Sequence, residues 1–239
     1  MKNRNNIVDI EKFIAALVIM TLHRDVVLGF YADEYTFAGG WIFVELFLII
    51  TGYYTTRHFA QMSDGSVPKN NFIYTIRKFL PILPYVWVAV SIQWLAFIIS
   101  QVHNGMYAIK DVIYVFMNNI IHGMLLINIT GGGNPFVTSM WYLMALLVVL
   151  PIFNLVCCMK DRYSKITVAF LYCAIYYGTM GVEAIIDFPQ NLLRVMAGLL
   201  LGCLIYEMAD LAGGHIKNIS EIIANIIAVA AFLLTVPVL

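Results

Sequence analysis

About eight apolar runs, each close to the length of a bilayer crossing, fall near residues 10–30, 39–59, 79–100, 111–128, 136–159, 166–182, 192–209 and 219–239. A spanning helix needs about 20 mostly apolar residues. Within lipid the backbone must satisfy its own hydrogen bonds, which favours helices over open strands. The pattern therefore predicts an all-α chain: a polytopic transmembrane helical bundle of about eight membrane segments. The composition agrees, with 62% hydrophobic and only 12% charged residues, where a soluble domain carries roughly 25% charged. Mean hydropathy is +0.84. A net charge of zero gives no basic surface, so no nucleic-acid partner is expected.

Connections are short, the longest polar one being Gln61 to Asn71, and no internal repeat stands out. Residues 1–239 are read as a single integral-membrane domain. The fourth run holds Asn118, Asn119 and His122 and is expected not to cross fully. The basic start, Met1 to Lys12, is broken by Asp9 and Glu11 and is followed by no small-residue cleavage site, so the first helix is expected to be retained. Lysine and arginine in short loops set orientation. Lys2 and Arg4 before the first run, and Arg57, Lys69, Arg77 and Lys78 after the second, place the N-terminus and the 57–78 loop inside. The Lys160, Arg162, Lys165 loop is also inside if the fourth run does not cross. The four cysteines, Cys157, Cys158, Cys173 and Cys203, lie in or beside apolar runs and lack zinc-site spacing, so they are read as packing residues.

Three ionisable residues interrupt the first two runs. Lys12 and His23 are about three turns apart on nearly the same helix face, which sets His23 roughly 16 Å deeper than Lys12. The second run adds Glu45 between apolar neighbours. Charged groups at such depth cost about 2.5–3.5 kcal/mol on the insertion scale and normally face a bundle interior or a wet cavity. Two readings follow. Lys12 snorkels to the surface and Glu45 pairs with His23 as buried structural glue, or the three form a working site.

These residues, with later motifs, resemble integral-membrane acyltransferase family 3, which includes polysaccharide O-acetyltransferases. The basic residue, ten residues and histidine that open the family match Lys12 and His23, with lysine where the family usually has arginine. FVELFLIITGYY resembles the family's second helix, Glu45 standing for the acid and Thr51-Gly52 for Ser-Gly. IRKFLPILPYVW supplies Arg77 and Lys78 before a proline, but Leu80 or Pro81 stands where a second arginine belongs. Trp141, Tyr142 and Leu143 match a W-[YF]-L segment, and Arg194, Gly198 and Gly202 match a late arginine-led helix. Family members typically have about ten spans. The final run stops at Leu239 without a polar flank, so the chain is expected to be shortened at its C-terminus.

The resemblance implies acyl transfer, acetyl by expectation, from acyl-CoA to a hydroxyl of a cell-surface carbohydrate or lipid-linked sugar at the plasma membrane. An alcohol is a weak nucleophile at neutral pH and needs a positioned base. His23 is the expected base and Glu45 its orienting partner. Lys12, Arg77 and Lys78 are the expected cations for the phosphates of acetyl-CoA. Trp141, Tyr142 and Arg194 are the expected acceptor contacts. For Arg77 and Lys78 the alternative is inside-positive anchoring, for Trp141 and Tyr142 an interfacial belt, and for Arg194 an anchor. No histidine–carboxylate set has metal-ligand spacing, and no metal is expected. The alternative functions are a secondary transporter, which would show an internal repeat, and a non-catalytic membrane component of a polysaccharide-export complex.

Overall fold

The computed structural model describes residues 6–22, 42–62, 71–103, 110, 113–114, 141–179 and 190–211. Within them the chain is all helical, with seven helices and no strand: α1 (Asn6–Leu22), α2 (Ile42–Ala60), α3 (Asn71–Phe79), α4 (Leu83–His103), α5 (Trp141–Cys157), α6 (Arg162–Thr179) and α7 (Gln190–Leu211). The eighth run, with its expected shortening, and most of the fourth lie outside the described residues.

The expected count of about eight membrane segments is corrected. Among the described residues α7 alone is long and apolar enough to cross a membrane, or two spans qualify if α3 and Leu83–Ile92 count as one, bent by 47°. α1 and α5 have 17 residues each, and α2, at 19, carries Glu45, Arg57 and His58. The run near 136–159 overshoots the end of α5 because hydropathy continues through the turn that closes the helix. At the end of α5, Cys158 N–H donates to Asn154 O and Leu155 O, and Met159 N–H to Val156 O, so the apolar run outlasts the helix.

Two compact units divide the chain. One comprises residues 1–65, 153–185 and 195–239, and the other 66–152 and 186–194. In the first unit α1 packs on α2 through Ala15, Val18, Phe43 and Leu46, with Ile19, Phe47 and Ile50 against them. α2 meets α7 backbone to backbone. A Cβ on Gly202 would lie 2.6 Å from Tyr53 N, and one on Gly52 2.8 Å from Leu199 C. Only glycine allows that approach. Thr51 and Thr56 return their hydroxyls to Phe47 O and Gly52 O, so α2 buries them without losing hydrogen bonds.

α6 begins on a cap. Asp161 Oδ2 accepts from Ser164 N–H at 2.8 Å while Asp161 O accepts the first helical bond from Lys165 N–H. Lys165, Ala169 and Cys173 are its buried residues, and Tyr177 continues the same four-residue spacing. One stripe thus faces inward while Phe170, Leu171 and Ile175 are exposed. Cys173 Sγ donates to Ala197 O of α7 at 3.4 Å.

In the second unit, α3 stops at a turn through Leu80, Pro81 and Ile82 before α4 starts. Pro81 has no N–H to continue the helix and its ring opposes the preceding turn. Asn71 Nδ2 donates to Pro151 O at 2.8 Å, joining α3 to α5.

Candidate functional site

Glu45 sits in the first turn of α2 and is 7% exposed. The unpaired N–H groups and macrodipole of a helix N-terminus favour a carboxylate there. A second source of support comes from α6, where Tyr177 Oη donates to Glu45 Oε2 at 3.1 Å. The third wall is α7. A Cβ on Gly198 would stand 3.1 Å from Glu45 Oε2 and 2.7 Å from Leu48 Cβ. Glu45 therefore sits among three helices, bonded by the phenol of α6 and faced by a glycine of α7.

Lys12 shares the α1 face of Ala15 and Ile19, which is turned to α2. Its Nζ lies 5.7 Å from the centroid of the Tyr54 ring, a cation–π distance. The fold therefore places Lys12 and Glu45 on one packed helix pair. His23, the expected base, lies outside the described residues.

The remaining expected residues belong to the second unit. Arg77 is exposed, while the Lys78 ammonium sits over Tyr74 at 4.8 Å. Trp141 and Tyr142 meet edge to face at 6.4 Å. The Arg194 guanidinium lies 5.2 Å from the Trp141 ring centroid. Trp141 and Arg194, more than fifty positions apart in sequence, are thus brought together, with the cation over the indole.

Sequence reasoning missed a buried ion cluster. Glu207, 2% exposed, accepts from Arg162 Nε at 2.8 Å and pairs with Lys165 Nζ at 2.5 Å. Arg162 also pairs with Asp210. Arg162 and Lys165 were expected in a basic inside loop. They lie instead in the first turn of α6 and are neutralised by α7. Beside them, Thr56 Oγ1 is 3.6 Å from Cys157 Sγ, with Cys203 of α7 next to the same thiol. Both cysteines are buried and unbridged. Outside the apolar helices, the Ser164 hydroxyl and N–H hold the Asp161 carboxyl below its ordinary value. Among the described residues no group of three or more His, Cys, Asp or Glu is placed to hold a metal ion.

Comparison with protein-family models, curated proteins and solved structures finds no significant match.

Proposed function

We propose that this chain is a membrane-bound O-acyltransferase that moves an acetyl group from acetyl-CoA to a hydroxyl of a cell-surface carbohydrate or lipid-linked sugar. The observation that carries the reading is Glu45: a carboxylate buried in an apolar helix, oriented by Tyr177 and packed beside the helix that bears Lys12. Such a group is costly to bury and points to a working role. The order of the family-like motifs supports the same reading. Membrane residence, in a polytopic bundle, is supported by the apolar side chains on outer helix faces, among them Phe13, Tyr85, Ile92, Ile99 and Ile175, all more than half exposed.

In this mechanism His23 removes the proton of the acceptor hydroxyl as its oxygen attacks the thioester carbonyl. The C–S bond breaks, the ester forms, and the proton passes to the departing CoA thiolate. Glu45 holds the imidazole tautomer and stabilises the imidazolium. Lys12, Arg77 and Lys78 attract the donor phosphates. Trp141, Tyr142 and Arg194 contact the acceptor, with the aromatic rings offering stacking area. The N-terminus is cytoplasmic, on the side where acetyl-CoA is found.

The test is labelled acetyl-CoA added to membranes with and without the protein, followed by the mass of the surface glycan. Protein-dependent gain of one acetyl increment is expected. His23→Ala should insert normally and lose about 10²–10⁴-fold in rate. Solute flux without acyl transfer would favour a carrier instead.

A further inference from the structure

Resting on the acyl-transfer reading, we propose that Tyr177 is a positioning residue that fixes the Glu45 carboxylate for its work on the base. Three observations meet at this contact. The buried stripe of α6 carries a polar group at each end, and each meets a buried carboxylate. Lys165 meets Glu207, and Tyr177, about 18 Å along the axis, meets Glu45. The two ends differ in chemistry. Glu207 is matched by two cations, which neutralise it and make a clamp. At Glu45 the α6 partner is a phenol, which orients the carboxylate through one donated hydrogen bond.

The packing around the contact is the second observation. Gly198 brings α7 against Glu45 so closely that an added methyl would stand 3.1 Å from Oε2. The carboxylate therefore has little room to turn, and the hydroxyl at 3.1 Å selects which oxygen faces α6. The third is the setting of the other polar group nearby on that stripe. The Cys173 thiol is already committed to Ala197 O. Tyr177 supplies the α6 hydrogen bond to Glu45, and it does so at half-burial, with its ring edge against Tyr176 at 5.2 Å.

A positioning residue acts through the group that it holds, so its loss should be felt in kcat and be silent once that group is gone. Tyr177→Phe removes one hydroxyl and keeps the ring. Expected are parental membrane insertion, unchanged KM for acetyl-CoA and for acceptor, and kcat lower by about tenfold, as for loss of a charge-assisted hydrogen bond. In the Glu45→Gln background the same change should cost less than about threefold, because coupled residues are not additive. A merely structural hydroxyl would lower both backgrounds equally. Should Tyr177→Phe fail to insert, 3,5-difluorotyrosine at position 177 keeps the shape and makes the phenol a stronger donor. It should change kcat in the parent and leave Glu45→Gln unaffected. An active parent whose kcat is insensitive to both replacements overturns the role of Tyr177 alone. A parent that transfers no acyl group overturns the acyl-transfer reading, and this role with it.

Discussion

Lys165 of α6 reaches Glu207 of α7 at 2.5 Å, and the side chains are 11% and 2% exposed. A buried pair of this kind contributes little over an apolar pair, but one charge left alone is expensive. Glu207→Leu strands Lys165 and should destabilise the protein by about 3–5 kcal/mol. Lys165→Met should cost less, since Glu207 keeps Arg162 at 2.8 Å. Lys165→Met combined with Glu207→Leu should recover much of the loss. Thermal unfolding of the purified variants in one detergent measures all three, and a double variant as weak as Glu207→Leu would refute the account.

The glycines of the α2–α7 contact give a second prediction. Gly52→Ala and Gly202→Ala each push a methyl into backbone atoms that cannot turn aside. Each should cost about 1–3 kcal/mol or more. Gly178 is helical and exposed, and a Cβ there would meet nothing within 4 Å. Gly178→Ala should therefore stabilise by up to about 1 kcal/mol. Equal melting shifts for Gly178 and Gly202 variants would contradict the packing.

Acid sensitivity follows from Asp161. Its folded value lies below the unfolded one of about 3.9 because Ser164 donates to the ionised form. The contribution is thus complete above the unfolded value and is lost as pH falls through the lower folded value. Asp161→Asn keeps the cap without the charge, so the part of the acid-limb fall in melting temperature due to this group should vanish. Asp161→Ala should lower stability across the neutral range as well. Melting curves from neutral pH downwards decide it.

For the site itself, Glu45→Gln should lose at least about a hundredfold in rate while inserting normally, as removal of an orienting carboxylate does. Glu45→Asp should keep part of the activity. Lys12→Glu should raise the donor KM about tenfold or more, the scale of a charge-assisted contact. Lys12→Arg should preserve it. Steady-state kinetics with varied acetyl-CoA separates these, and a Glu45→Gln enzyme at parental rate would make the carboxylate structural.

What could be read without coordinates was the local order. Apolar runs announced α1, α2, α4, α5, α6 and α7, because burial or lipid contact needs that composition wherever the helix ends. α3 was invisible in this way, since NFIYTIRKF mixes polar and apolar residues and sits against Pro81. The start of α6 was also misplaced. Arg162 and Lys165 look like loop residues until Asp161 is seen to cap the helix and Glu207 to neutralise them. Within the site, Lys12 and Glu45 stood out as charges in apolar surroundings. Tyr177 did not, because a tyrosine near a helix end reads as an interfacial residue. Its partner is 132 positions away, a separation over which no local pattern operates.

That separation also has a meaning in time. At about 5–20 residues per second, roughly 7–26 seconds of synthesis pass between Glu45 and Tyr177. α1 and α2, neighbours in sequence and packed on each other, are available long before. The nascent chain must therefore carry the Glu45 carboxylate without its phenol until α6 is made, and without the Gly198 wall until α7 follows. The candidate site is among the last parts of the first unit to be completed, and a chain halted before Tyr177 leaves the ribosome with an acid whose shelter was never built.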